Sequence, residues 1–151
     1  MLHPRSGNSV TTQHPHARSR EWALQFLYQS EIEKLYFFSE MHFESFIQNF
    51  QVEALQITYL RKLVEGVFER LTELNDAIDD HSENWNLTRM PVVDRCILRL
   101  SALELMTKQT PQKVIINEAI ELAKKYSTEN SGSFVNGILD KLAKKYSPEV
   151  V

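Results

Sequence analysis

The sequence predicts an all-α protein, and three observations support that prediction. The chain has only 4 glycines and 5 prolines in 151 residues, fewer than the frequent turns of a β-sheet protein need. Apolar residues recur at helical spacing, as in Val135, Ile138, Leu139 and Leu142, which stand at i, i+3, i+4 and i+7. No segment shows the alternating pattern of a strand. We therefore expect six or seven helices.

Length and charge indicate one globular domain that follows a basic arm. A chain of 151 residues with 42% hydrophobic and 25% charged residues suits a single soluble domain. Although the net charge is −3, residues 1–20 contain Arg5, Arg18 and Arg20 and no acid. Residues 1–17 have almost no large apolar side chains, so we expect a disordered basic arm, with one helical domain over 18–151. A basic arm on an acidic body is found in nucleic-acid-binding proteins, and a merely frayed terminus is the alternative.

In the first half of the domain, the apolar spacing predicts three helical segments. The first runs from about Ser19 to Tyr36, and Ser39 is placed to cap the second. A long periodic segment over 60–78 needs at least one helix, with a break expected near Asn75. Gly66 lies inside this segment, where glycine costs about 1 kcal/mol relative to alanine, so it should mark a close approach of two helices.

The second half of the domain contains the predicted central helix. Residues 88–91 read as its start, and residues 92–106 are apolar on nearly every side, which is typical of a helix enclosed by others. Charges on so apolar a helix, such as Arg95 and Arg99, should pair with other helices or face a binding partner. Two further helices are expected, one from Thr110-Pro111 to Lys124-Lys125 and one from the connector 127–132 to Ser147-Pro148.

No pattern of residues indicates catalysis. There is no glycine-rich phosphate loop, no Cys/His metal spacing and no H-E-x-x-H motif, so we predict no catalytic residues, no metal and no cofactor. Cys96 is interpreted as a small buried residue of a protein in a reducing cytosol. No apolar run is long enough to cross a membrane, and a cytoplasmic location is expected. The last two helices also carry polar sets, Asn117/Glu118/Glu121 and Asn136/Asp140, which suggest a docking surface.

Four ordered motifs resemble those of the NusB family. Residues 18–28, RSREWALQFLY, are similar to its opening R-x-R-E-x-A-x-Q-x-L-Y, and residues 94–100, DRCILRL, with Glu104-Leu105, are similar to its central helix. Residues 114–124, VIINEAIELAK, and 134–140, FVNGILD, match its later signatures. The likeness covers residues 18–142 in order and with compatible spacing.

The resemblance implies a bundle of about seven helices in two packed subdomains, in a bacterial transcription antitermination factor that is not an enzyme. Such proteins bind the boxA element of nascent ribosomal RNA together with the ribosomal protein NusE, and the complex joins RNA polymerase to suppress termination. Two alternatives remain open. One is a protein-only helical adaptor, and the other is the RNA-binding module of a ribosomal-RNA cytosine methyltransferase. The oligomeric state is also open between a monomer and a homodimer.

The resemblance further implies roles for individual residues. RNA contacts fall on Arg18, Arg20, Gln25, Tyr28, Asn130 and Phe134. Contacts to the protein partner fall on Asp94 and Arg95. Aromatic rings can stack on unpaired bases, although an aromatic residue at helical spacing is as often part of a core. His16, Ala17 and Ser133 stand where basic residues are usual in the family, so with few cations weak RNA binding is expected without the partner. Asn130 stands where an acid is common, which should lessen the repulsion of phosphate.

Overall fold

The computed structural model describes residues 1–5, 16–83 and 86–146, and within these ranges the chain is all-α, as predicted. The helices are α1 Ala17–Glu33, α2 Glu40–Phe50, α3 Ala54–Glu69, α4 Leu71–Asp80, α5 Val92–Thr107, α6 Gln112–Tyr126 and α7 Ser131–Tyr146. A short 3-10 turn at Leu87–Arg89 precedes α5.

Local backbone signals explain most helix ends. The first helix ends three residues before the predicted Tyr36, because Lys34 adopts a left-handed conformation with φ 58° and its amide caps the helix. Ser39 caps α2, as predicted, by accepting a hydrogen bond from the His42 amide. Pro91 lies just before α5 and outside its first turn, so the predicted start at residues 88–91 is a separate turn.

The long segment over 60–78 belongs to two helices, and the predicted break near Asn75 was wrong. The break lies at Arg70, which ends α3 and begins α4 with φ −112° and ψ 23°. Gly66 does mark a close approach, as predicted. A Cβ atom added to it would lie 2.7 Å from a terminal methyl group of Leu103 on α5.

The central helix is α5, which packs against α1, α3, α4, α6 and α7. Most of its apolar residues are almost fully buried, among them Ile97, Leu98 and Cys96. On one side of the protein, aromatic side chains join α2 to α1. The ring of Phe26 meets those of Phe43 and Phe46 at centroid distances of 5.9 and 5.2 Å.

Residues 1–5 do not follow the prediction of a disordered arm. Leu2 is 9% exposed and belongs to the hydrophobic core, packed beside α1. The rest of the predicted arm through residue 15 lies outside the described residues. The first helix begins at Ala17, one residue before the predicted domain boundary.

Candidate nucleic-acid interface

The start of α1 and the end of α6 bring one acidic and two basic side chains together. Glu21 accepts hydrogen bonds at one carboxylate oxygen from the Lys125 ammonium, 2.9 Å away, and from the Tyr126 hydroxyl, 2.6 Å away. Arg18 approaches the same oxygen at 3.7 Å, and its guanidinium lies 4.9 Å from the centre of the Trp22 ring. One acid therefore holds Arg18 and Lys125 side by side.

The same end of the molecule contains the turn between α6 and α7. Lys124 is exposed, and its side chain runs past Gly132, whose added Cβ would lie 3.5 Å from it. We call Arg18, Lys124 and Lys125 the cationic edge. Burial and the bond to Glu21 raise the pKa of the Tyr126 hydroxyl, so it stays a neutral donor beside this edge.

Arg20 does not lie on the cationic edge, which corrects the prediction that it contacts RNA directly. It is 2% exposed, and its guanidinium donates two hydrogen bonds to Glu104 on α5, at 2.7 and 2.8 Å. The Tyr59 hydroxyl donates to the same carboxylate at 2.7 Å, and Glu118 lies 4.0 Å from Arg20. Arg20 thus joins α1 to α5 inside the protein.

This cluster also corrects the predicted docking surface on α6. Glu118 is only 5% exposed because it faces Arg20. Its neighbour Asn117 is exposed, so the polar set of α6 is divided between the interior and the surface.

Gln25 is likewise buried, with 5% of its surface exposed. Its side-chain amide accepts from the Leu2 amide at 2.8 Å and donates to the Leu2 carbonyl at 2.9 Å. The predicted contact of this side chain with RNA would require the first residues of the chain to leave, because both ends of the amide are occupied.

The two predicted aromatic contacts are half-buried. Tyr28 lies on α1 at position i+7 from Glu21, on the same side of that helix, and packs against the core. Phe134 also packs against the core, and it lines an open surface cavity of about 260 Å³ between the end of α4 and α7. Asn130 is exposed in the turn before α7, where its carbonyl accepts from the Phe134 amide.

Asp94 has an internal role, which corrects its prediction as a partner-binding residue. It is 2% exposed, and its carboxylate accepts hydrogen bonds from the Ser127 and Ser131 hydroxyls. The Ser131 hydroxyl also accepts from the Thr128 amide at 3.2 Å. Asp94 therefore anchors the turn that leads into α7.

Arg95 is partly exposed and holds the other predicted partner position. Its Nη2 atom lies 2.7 Å from Glu31 on α1, and it donates to the Met90 carbonyl at 3.0 Å. It lines an open cavity of about 520 Å³ together with Tyr36, Thr88 and Arg99. Arg95 and Arg99 share Glu31, so the prediction that they pair with another helix is confirmed.

Sequence reasoning missed Lys125 and Lys124 as surface cations of this site. It assigned them only a favourable interaction with the helix dipole. Their position at the end of the family-like segment INEAIELAKK could have suggested that they also belong to the site. His16, where the family usually has a basic residue, stacks on Tyr59 with ring centroids 3.7 Å apart. Partial burial and the nearby Arg20 lower the His16 pKa, so it adds no full charge at neutral pH.

Within the described ranges, no three or more His, Cys, Asp or Glu side chains are grouped to hold a metal ion. None of the helices described combines the length and apolar character that a membrane span requires.

Known proteins of similar sequence and fold define the class. The sequence profile of the NusB family matches residues 17–144. Transcription antitermination protein NusB of Anaeromyxobacter dehalogenans is 44% identical over 132 residues, which cover 87% of this chain and 92% of that protein. The protein of the same name from Thermotoga maritima is 50% identical over 90 residues, covering 59% of this chain and 63% of that protein.

Solved structures give the same result. A crystal form of T. maritima NusB superposes with a TM-score of 0.79 at 37% identity, covering 91% of this chain and 96% of that one. A chain from the crystal structure of the antitermination factors NusB and NusE with double-stranded RNA matches with a TM-score of 0.76 at 25% identity, over 86% and 96% of the two chains. The fold is that of an all-α transcription antitermination factor. This chain belongs to the NusB family.

Proposed function

We propose that this member of the NusB family binds the boxA element of nascent ribosomal RNA together with NusE, and that the complex joins RNA polymerase to suppress premature termination. In this proposal the protein acts only by binding RNA and protein partners, and it catalyses no reaction. The observation that supports it best is the cationic edge, where Arg18 and Lys125 meet at Glu21 next to the turn that carries Asn130. Exposed guanidinium and ammonium groups attract phosphates, and a nearby amide can read a base.

The number of cations predicts how strongly the protein binds RNA alone. Three side chains form the cationic edge, and Glu21 partly neutralises two of them. Each phosphate contact to a single strand contributes a slope of roughly 0.7 in a plot of log affinity against log salt. We therefore propose weak binding by the isolated protein and useful affinity only when NusE adds to the RNA surface.

Titration of a labelled boxA RNA tests both statements. The protein is titrated with and without NusE, as wild type and as the double variant Arg18→Gln/Lys125→Gln. Wild-type affinity should rise with NusE, and the double variant should bind at least tenfold more weakly with a shallower salt dependence. Equal RNA affinity with and without NusE would contradict the partner requirement.

A matched control removes one Arg and one Lys far from the edge, as Arg70→Gln/Lys113→Gln. Both side chains are exposed. Glu53, which approaches Arg18, lies just before α3, and Arg70 lies just after it. Because a helix of 16 residues spans about 24 Å, Arg70 is at the opposite end of α3 from Arg18. If the control and the test variant lose the same affinity, only net charge matters. If neither loses affinity, the protein-only adaptor becomes the better description.

A further inference from the structure

The first five residues form a tether across two helices near the cationic edge. The Leu2 side chain is buried beside α1, while both polar groups of its backbone are held by the Gln25 amide at 2.8 and 2.9 Å. A paired exchange of this kind fixes the main chain at one position and in one orientation, much like one rung of a sheet.

A second attachment lies three residues further on. The Arg5 amide donates to the Lys125 carbonyl at 2.7 Å. This carbonyl is among the last four of α6, which have no partner within the helix, so the bond satisfies a group that water would otherwise solvate. The tether therefore runs from the middle of α1 to the end of α6.

This path places a further cation at the cationic edge. Arg5 is exposed, and its backbone is bonded to the residue whose ammonium group meets Glu21. Arg18 approaches that same carboxylate. The tether thus supplies a fourth basic residue beside Arg18, Lys124 and Lys125.

We propose that residues 1–5 are a built part of the RNA-binding surface, in which Arg5 contacts an RNA phosphate and Gln25 acts as a positioning residue for the tether. The inference rests on the proposed RNA binding and assigns a new residue to that surface. It also changes the role of Gln25, which holds the chain that carries the cation and does not read a base.

The opposite arrangement is a tether that covers the surface and leaves when RNA binds. The two arrangements predict opposite changes in RNA affinity when the tether is removed. If the tether contributes a contact, its removal weakens binding, whereas if it is a cover, its removal strengthens binding.

The decisive experiment measures the affinity of a labelled single-stranded boxA RNA at several salt concentrations for wild type, Arg5→Gln and the control Arg70→Gln. Loss of one phosphate contact should weaken binding about fivefold near 0.1 M salt and lower the slope by about 0.7, with the control unchanged. An unchanged or increased affinity of Arg5→Gln overturns the inference. The titrations are done with the isolated protein and again in the presence of NusE. A wild type that binds no RNA even with NusE overturns the proposed function as well, so the two failures are distinguishable.

The positioning role of Gln25 needs a separate readout. Gln25→Leu keeps a side chain of similar size on α1 but cannot hold the Leu2 backbone, and deletion of residues 2–5 removes the tether without changing the sequence of α1. Both should weaken RNA binding as much as Arg5→Gln, and adding Arg5→Gln to Gln25→Leu should have no further effect. Hydrogen exchange should show the Leu2 and Arg5 amides protected in wild type and unprotected in Gln25→Leu. Additive losses, or amides unprotected in wild type, would contradict this role.

Discussion

Arg18 and Arg20 show how two residues of one motif acquire different roles. Two positions along a helix differ by about 200° around its axis, so the two side chains point to nearly opposite sides of α1. Arg18 is half exposed at the cationic edge, whereas Arg20 is 2% exposed and paired with Glu104. The motif identifies both arginines equally, and only the direction of the buried face separates a surface contact from an internal ion pair.

This difference predicts opposite outcomes for two similar substitutions. Arg20→Ala leaves the Glu104 carboxylate buried without its bidentate partner and should cost about 3–5 kcal/mol of unfolding free energy. Arg18→Ala removes an exposed side chain and should change that free energy by less than about 0.5 kcal/mol while weakening RNA binding. Denaturant unfolding measures both. Equal stabilities of the two variants would contradict the assigned roles.

Tyr59, which donates to Glu104, should make the stability of the protein depend on pH. Burial and the nearby carboxylate raise its pKa from 10.0 to about 12. The unfolded chain therefore loses this proton first as the pH rises, and the free energy of unfolding should fall between pH 10 and 12. Unfolding measured across this range should show a smaller fall for Tyr59→Phe than for wild type. An identical fall would mean that Tyr59 ionises normally in the folded protein.

At the scale of the helices, Asp94 joins the central helix to the turn before α7. It accepts from two serine hydroxyls, and no sequence pattern showed that these serines would lie next to it. The resemblance marked Asp94 as important but could not assign its role, because an aspartate at this position of the motif could be either a buried anchor or an exposed contact. The helices themselves were predictable, since apolar periodicity reports the buried face directly.

The anchor predicts the effect of Asp94→Asn. An amide has one acceptor oxygen in place of two, so one serine hydroxyl loses its carboxylate acceptor and the free energy of unfolding should fall by about 1–3 kcal/mol. Hydrogen exchange should rise in the turn at 127–131. A variant with wild-type stability and reduced binding of NusE would restore the earlier interpretation of Asp94 as a partner contact.

Gly66 sets the distance between α3 and α5, and a mutant cycle tests this. Gly66→Ala pushes against the end of the buried Leu103 side chain, an overpacking cost of about 1–3 kcal/mol that the gain in helix propensity of about 1 kcal/mol offsets in part. The single variant should be less stable than wild type. In a Leu103→Ala background the clash is gone, so Gly66→Ala should then be neutral or stabilising. Purely additive effects would show that the two residues do not interact.

At the scale of the whole molecule, a chain of net charge −3 displays a small group of cations at one end. The fold class and the family could be predicted from the sequence, because both depend on long periodic patterns and ordered motifs. The attachment of residues 1–5 could not, since a single buried leucine among polar residues has no periodicity. The cationic edge likewise depends on which helix ends meet in space.

This distribution predicts a modest salt dependence of RNA binding. Four contacts, counting Arg5, give a slope of about −3 in log affinity against log salt. Titrations of single-stranded boxA RNA with the isolated protein between low and moderate salt measure it. A slope steeper than about −5 would require cations outside this end of the molecule.

The burial of Cys96 has a practical consequence for labelling the protein to follow RNA binding. Exclusion from water raises the pKa of this thiol to about 12, so almost no reactive thiolate exists at neutral pH, and the side chain is buried in the hydrophobic core. It is the only cysteine in the chain. A fluorophore or spin label could therefore be attached at an engineered cysteine, such as Ser133→Cys, without first removing the native one.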